Sequence, residues 1–106
     1  MNQELIRELV EALEGFPIMA MATIVQTWGS TPRKAGAKML IYPDGRISGT
    51  IGGGCSEAEV IKQARMVLDS ATPQLYSVSM TGDVAADEGM VCGGRMDVYI
   101  EPICRD

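Results

Sequence analysis

The glycine run at residues 52–54 limits what this chain can fold into more than any other stretch. It follows residues 49–51, which have the pattern of a strand end, and it precedes Cys55, Ser56 and a helical pattern that continues to Ala64. Three residues without a Cβ allow positive φ angles and the close approach of a ligand or of another backbone segment. We therefore predict a strand, a tight glycine turn and a helix, in that order.

The start of the helix after this turn carries a capping pattern. Ser56 is followed three residues later by Glu59, which is the spacing of a capping box with Ser56 as the N-cap. The amide end of the helix then lies beside the glycines, a geometry that suits a phosphate or another anion. A helix N-terminus also lowers the pKa of a thiol such as that of Cys55. The alternative is that the glycines only allow the helix to pack closely on the sheet and that Cys55 is an ordinary buried thiol.

Charge and composition argue against several classes of function. The chain has 106 residues, enough for one domain, and its formal net charge of −5 disfavours nucleic-acid binding. It contains no histidine and no Cys-x-x-Cys motif, which disfavours a zinc site and excludes histidine-based catalysis. No apolar run approaches the ~20 residues that span a bilayer. Residues 2–4 do not begin a signal peptide, so a cytoplasmic location is the default expectation.

Hydrophobic periodicity predicts two helices and about five strands. Residues 2–14 repeat apolar side chains at helical spacing, and residues 18–27 are almost continuously apolar, as in a central strand that is buried on both faces. The other elements are a two-strand hairpin around the turn at 43–45, the helix after the glycine turn, a strand at 75–80 and a last strand at 96–100. We expect a single α+β domain with a mixed β-sheet of about five strands packed against two main helices.

The loop at residues 27–36 follows the predicted central strand and contains a candidate anion-binding residue. Arg33 lies in this loop, and Lys34, Lys38 and Arg46 follow nearby in a chain that is otherwise acidic. Because a guanidinium group presents a fork of donors that matches oxyanions, we favour a binding role for Arg33. The two lysines are interpreted as solubilising surface charges.

Residues 81–94 form a second glycine-rich loop with a second candidate thiol. Its Cys92-Gly93-Gly94 sequence mirrors the Gly53-Gly54-Cys55 sequence of the first turn, so we expect both thiols to line one shared pocket. The last strand is expected to end at 101–102. That end would place Cys104 in a short tail without a functional role.

Several motifs occur in order along nearly the whole chain. They are Gly29-Ser30-Thr31-Pro32-Arg33 with Gly36-Ala37, Asp44-Gly45, Gly49-Thr50-Ile51-Gly52-Gly53-Gly54-Cys55-x-Glu57, Gly89-Met90-Val91-Cys92-Gly93-Gly94 and Glu101-Pro102. Together they closely resemble the N-terminal domain of the XdhC/CoxI family, the accessory proteins of xanthine dehydrogenase and related molybdenum hydroxylases. On this resemblance, residues 1–106 are expected to form one such domain, without the Rossmann-like domain that follows it in typical members.

The resemblance implies a maturation factor that binds the molybdenum cofactor as cargo. Such a factor protects the cofactor while a cysteine desulfurase supplies the sulfur for its sulfuration, and it inserts the cofactor into the apo molybdenum hydroxylase. Further partners left open are a separate chain with the Rossmann-like domain and a second copy of this chain. The residues expected to bind the cofactor are Arg33, Gly52, Gly53, Gly54, Cys55, Ser56, Glu57, Cys92 and Gly93. Cys55 and Cys92 are the candidates for a sulfur relay and for thiolate ligands of molybdenum.

Two other classes of function stay open at this point. A thiol-dependent sulfurtransferase or oxidoreductase would use Cys55 with Cys92, and a helix terminus would have to activate the thiol without a histidine. A structural interaction module would use the glycine turn for packing alone. We favour an accessory protein over an independent catalyst.

Overall fold

The computed structural model describes residues 3–29, 31, 33–52, 54–80 and 94–105, and it describes only the backbone at 54, 55 and 80. The described residues form two helices and five strands, which confirms the predicted α+β class. In chain order the elements are α1 (Gln3–Gly15), β1 (Ile18–Trp28), β2 (Lys38–Ile41), β3 (Ile47–Gly49), α2 (Gly54–Ser70), β4 (Gln74–Met80) and β5 (Gly94–Cys104).

The five strands form one sheet in the order β3-β2-β1-β5-β4, and all four described strand pairings are antiparallel. The mixed sheet of the sequence-based prediction is therefore corrected to an antiparallel one. The helix α2 does connect two strands that run in the same direction, β3 and β4. Because these strands lie at opposite edges of the sheet, they form no parallel hydrogen-bonded pair.

The two helices cover opposite faces of the sheet. The apolar side of α1 is buried in a cluster with Met19 and Met21 of β1, whereas α2 is buried with Ala20, Ala22 and Ile24 of the same strand. Successive residues of a strand face opposite sides of the sheet, so β1 contributes to both clusters. The prediction of a central strand buried on both faces is confirmed.

The last strand is longer than the sequence indicated. The predicted end at 101–102 is wrong, because β5 continues through Pro102 to Cys104. β4 pairs with β5 only as far as Ile100, which lies opposite Gln74. Pro102 thus lies where one side of β5 has no neighbouring strand in the described fold, and there a missing N–H removes no ladder hydrogen bond. Cys104 ends the strand as an exposed free thiol.

Glu8 fastens α1 to the hairpin of β2 and β3. Its carboxylate accepts hydrogen bonds from the hydroxyl groups of Tyr42 at 2.6 Å and Ser48 at 2.7 Å. The Tyr42 bond, followed by the Ser48 bond, holds the pKa of Glu8 below its ordinary value. The same Glu8–Tyr42 bond raises the pKa of Tyr42. The pair therefore stabilises the fold at neutral pH, and this stabilisation is lost as the pH falls through the lowered pKa of Glu8 or rises through the raised pKa of Tyr42.

We expect Glu8→Gln to lower the free energy of unfolding by about 1 kcal/mol at pH 7, because the variant loses a charged acceptor of two hydrogen bonds. The difference from the wild type should shrink as the pH falls below the ordinary carboxyl pKa of about 4.3. Urea unfolding at a series of pH values measures both effects. Glu11→Gln, an exposed position on the same helix, is the matched control. If Glu8→Gln and Glu11→Gln lowered the free energy of unfolding by the same amount at every pH, this role for Glu8 would be contradicted.

Candidate functional site

The turn between β3 and α2 is held in place by Thr50. The Thr50 hydroxyl accepts a hydrogen bond from the backbone N–H of Gly52 at 3.0 Å and donates one to the Glu57 carboxylate at 2.5 Å. Gly49 and Gly52 on either side of it have φ angles of 82° and 137°, which glycine adopts with little cost. The turn therefore begins directly after Gly49, the last residue of β3, and the hydrogen bond between the Thr50 and Glu57 side chains connects it to the first turn of α2.

This bridge gives Glu57 a structural partner. The sequence analysis left Glu57 open as a cofactor contact, and the structure places its carboxylate against the Thr50 hydroxyl. An acidic side chain in the first turn of a helix also interacts favourably with the helix dipole. Glu57 thus supports the position of the turn whether or not it also contacts a ligand.

Ser56 does not have the capping position that the sequence indicated. α2 begins at Gly54, so Ser56 lies within the first helical turn, and it is buried. The capping box of Ser56 and Glu59 is therefore wrong. The spacing alone could not reveal that Gly54 and Cys55 already have helical backbone conformations, because glycine is a poor helix former. As a consequence, the amide end of α2 lies closer to the glycine turn than predicted.

A surface cleft of about 360 Å³ lies beside this turn. Its lining residues come from α1, from the loop between β1 and β2, from the first residue of β2, and from the end of β3 with the turn that follows: Leu5, Arg33, Gly36, Ala37, Lys38, Gly49 and Thr50. The loop reaches this place because it is fastened to the central strand, where Gly36 N–H donates to Ile24 O at 2.7 Å and Ile24 N–H donates to Ala37 O at 2.9 Å. The structure thus brings Arg33 together with Gly49 and Thr50.

Lys38 is a second cation in the cleft, and the sequence analysis had interpreted it as a surface charge. Lys38 lies opposite Thr23 in the pairing of β1 and β2, and its ammonium group donates to the Thr23 hydroxyl at 2.9 Å. The ion pairs in the described part of the chain involve neither Arg33 nor Lys38. No local sequence signal could identify Lys38, because its position depends on the register between two strands.

Arg46 belongs to a different surface, although it is near Arg33 in sequence. Its guanidinium group pairs with Asp44 at 3.0 Å and lies 4.5 Å from the centroid of the Tyr42 ring. Arg46 and Lys34 do not line the cleft. Of the four clustered basic residues, the structure therefore brings only Arg33 and Lys38 to the candidate site.

The two candidate thiols are not located by the structure. Gly53, Cys92 and Gly93 lie outside the described residues, as does almost all of the predicted loop at 81–94, and only the backbone of Gly54 and Cys55 is described. The expected pocket shared by Cys55 and Cys92 therefore stays a prediction.

Neither helix in the described part of the chain is long and apolar enough to cross a membrane.

A small α+β domain with a cation-lined cleft beside a glycine turn is the class that this fold and site define. The sequence model of the XdhC and CoxI family matches residues 18–79, more than half of the chain. The chain belongs to the XdhC and CoxI family.

Named relatives agree with this membership. The chain is 38% identical over 88 residues to a probable xanthine dehydrogenase component of Bacillus subtilis, a match that covers 81% of this chain and 27% of that protein. It is 33% identical over 102 residues to the molybdenum cofactor insertion chaperone PaoD of Escherichia coli, with coverage of 96% and 32%. A crystal structure of a xanthine dehydrogenase from Bacillus halodurans shares the fold with a TM-score of 0.75 and 35% identity, and the match covers 90% of this chain and 29% of that one. The chain thus spans about a third or less of each of these proteins.

Proposed function

We propose that this domain binds the molybdenum cofactor as cargo during the maturation of a molybdenum hydroxylase such as xanthine dehydrogenase, and that it does so at the cleft lined by Arg33 and Lys38. The observation that carries the proposal is the cleft itself. Two cations without an ion-pair partner among the described residues meet there beside the glycine turn. The name of the Escherichia coli relative, a molybdenum cofactor insertion chaperone, supports the choice of cargo.

The charges in the cleft favour an anionic ligand. The chain has a formal net charge of −5, so carboxylates are plentiful, yet neither Arg33 nor Lys38 forms an ion pair with a described one. Arg33 is exposed and Lys38 is half-buried, and like charges that line one cleft repel each other. An anion bound between them removes this repulsion and accepts charge-assisted hydrogen bonds from both. The phosphate group of the pterin cofactor is such an anion.

The size and walls of the cleft suit one end of the cofactor. Its volume of about 360 Å³ is near the lower limit for small-molecule sites, which is about 300 Å³. Arg33 and Lys38 would hold the phosphate, and Leu5 supplies an apolar wall. The backbone at Gly49 and Thr50 continues from the cleft towards the amide end of α2. The rest of the cofactor would follow this direction along Gly52, Gly53 and Gly54, towards the helical turn that contains the buried Ser56.

The proposal also assigns roles to two thiols and to two partner proteins. Cys55, at the start of α2, and Cys92 with Gly93 would approach the molybdenum end of the cargo, either as thiolate ligands or as carriers of sulfur. A cysteine desulfurase would supply that sulfur, and an apo molybdenum hydroxylase would receive the cofactor. In this role the domain acts as an accessory protein and not as an independent catalyst.

The experiment that tests the proposal is anaerobic binding of freshly released molybdenum cofactor, with retained molybdenum and pterin quantified after gel filtration. We expect Arg33→Gln and Lys38→Gln each to weaken binding by about tenfold to a hundredfold, since each removes a charged hydrogen bond worth about 1.5–3 kcal/mol. Arg7→Gln and Lys62→Gln, exposed cations on α1 and α2, are the matched controls and should bind like the wild type. Binding should also weaken at high salt, because screening reduces the attraction of the partly exposed cations for the anion.

The outcomes separate the parts of this proposal. No retention by the folded wild-type protein would refute cofactor binding by this chain. Normal retention by both cleft variants would refute the cleft as the site. Cys55→Ser and Cys92→Ser test the thiols separately: retention without persulfide transfer would assign them to the sulfur relay, and loss of molybdenum with retained pterin would assign them to the metal end.

A further inference from the structure

Lys38 is held differently from the other lysines of the chain. Its side chain is half-buried, and its ammonium group donates a hydrogen bond to the Thr23 hydroxyl at 2.9 Å. Lys34 and Lys62 are exposed, and in the described part of the chain their ammonium groups form no hydrogen bond or ion pair. Lys38 is therefore the lysine whose ammonium group the fold keeps in one place.

Thr23 is a rigid acceptor for this hydrogen bond. It lies in the central strand β1, opposite Lys38 of β2 on one side and opposite Tyr99 of β5 on the other. Pairing on both sides restricts the movement of the strand, and the β-branched side chain of a threonine has few χ1 rotamers. The hydroxyl thus provides a fixed point over β1 for the end of a long and flexible side chain.

Thr23 reaches the cleft only through Lys38. Lys38 lines the cleft, whereas Thr23 does not, so a ligand in the cleft would contact the ammonium group and not the hydroxyl. An ammonium group has several N–H donors, and the bond to Thr23 uses one of them. The others stay available to an anion, and the bond to Thr23 determines where they lie.

This arrangement lowers the entropic cost of binding at Lys38. A lysine side chain loses rotamer freedom when a ligand immobilises it. Lys38 has lost part of this freedom before any ligand binds, because the hydrogen bond already holds its ammonium group. Arg33, the other cation of the cleft, is exposed and has no ion-pair partner among the described residues. The cleft thus combines one preorganised cation with one adaptable cation.

We propose that Thr23 is a positioning residue, which holds the Lys38 ammonium group ready for the anionic part of a ligand in the cleft. This inference rests on the proposed function in one respect, since it requires the cleft to bind an anion. It does not depend on the identity of the cargo that carries the anion. Inorganic phosphate is therefore a sufficient probe.

Titration with inorganic phosphate at constant ionic strength, followed by the amide NMR shifts of the cleft residues, tests the inference. We expect Thr23→Val to raise the dissociation constant about threefold to tenfold, because valine has a similar shape but offers no acceptor. Thr23→Ser keeps the hydroxyl and should bind within about twofold of the wild type. Thr27→Val, the same change at another half-buried position of β1 outside the cleft, is the matched control and should bind like the wild type.

A double-mutant cycle distinguishes positioning from a general effect on the fold. Lys38→Met removes the ammonium group, so Thr23→Val should cause no further loss of phosphate binding in that background. An equal loss with and without the ammonium group would overturn the proposal. Wild-type binding by Thr23→Val would overturn it as well, as would weakening by Thr23→Ser as large as that by Thr23→Val. Circular dichroism verifies folding, and Thr23→Ala takes the place of Thr23→Val in the comparison if the valine variant is unfolded.

The two binding experiments separate this inference from the proposed cargo. A wild type that retains the molybdenum cofactor but shows no phosphate binding in the cleft would overturn the role of Thr23 and leave the cargo in place. Phosphate binding that depends on Thr23, without retention of the cofactor, would support the role of Thr23 and refute the cargo.

Discussion

Replacing Gly49 by alanine is expected to lower the free energy of unfolding by roughly 2–4 kcal/mol, the range of a left-handed backbone penalty combined with a steric clash. Gly49 has a φ angle of 82°. A Cβ at this position would lie 2.7 Å from the carbonyl oxygen of Lys38, a backbone atom of the paired strand. The backbone of β2 and β3 would have to separate, since a carbonyl within a sheet cannot rotate away like a side chain. Urea unfolding followed by circular dichroism measures the loss.

Substitutions at two other glycines distinguish the backbone penalty from the steric clash. At Gly36 the φ angle is 100°, but a Cβ would meet nothing within 4 Å, so Gly36→Ala should cost only the backbone penalty of about 1–2 kcal/mol. At Gly15 a Cβ also meets nothing within 4 Å and φ is not positive, so Gly15→Ala should have little effect. A loss for Gly49→Ala no larger than that for Gly36→Ala would show that the close approach to Lys38 does not constrain the turn.

Replacing Ile51 by alanine is the second large effect that we expect, with a loss of about 2–5 kcal/mol of unfolding free energy. Ile51 lies in the turn between β3 and α2, and its side chain is 0% exposed within the core cluster below α2. Removal of three carbon atoms there leaves a cavity in a closely packed interior. Because the neighbouring Thr50 lines the candidate cleft, the proposed function adds the expectation that the folded fraction of this variant binds the cofactor more weakly.

Ile47 provides the control for this prediction. It lies in β3, four residues before Ile51, but is 38% exposed, so Ile47→Ala should lose no more than about 1 kcal/mol. The more conservative Ile51→Val should lose about 0.5–1.5 kcal/mol and keep the turn in place for binding measurements. Equal losses for Ile47→Ala and Ile51→Ala would mean that Ile51 does not anchor the turn.

Local patterns in the sequence predicted several elements correctly. The helical spacing in residues 2–14 predicted α1, which spans Gln3–Gly15. The turn at 43–45 is confirmed as well: Tyr42 N–H donates to Arg46 O at 2.9 Å, and Gly45 has a φ angle of 97°. Both signals act within a few residues, one through helical periodicity and the other through the freedom of glycine to adopt positive φ. Such signals do not require knowledge of distant partners.

Two of the errors arose where distant parts of the chain decide the outcome, whereas the error at Ser56 is local. Pro102 normally indicates a strand end, but here it lies beyond the end of β4 on one side of β5, which only the sheet order reveals. The N-cap assignment of Ser56 failed because α2 begins two residues earlier, at Gly54. The strand β1 was predicted to be central, and the antiparallel order around it could not be read from its apolar run.

The residues of the candidate site also fall into those that local sequence patterns predicted and those that only the tertiary structure revealed. The sequence was sufficient to predict a glycine turn, to mark Arg33 as a candidate and to identify the family, because motifs of residue type and spacing are local properties of the chain. Only the tertiary structure brought Arg33 and Lys38 into one cleft with Gly49 and Thr50. The physical reason is strand register: the pairing of Lys38 with Thr23 and of Met39 with Gly49 depends on burying opposite faces of the sheet under two different helices, and that choice is made by the whole fold.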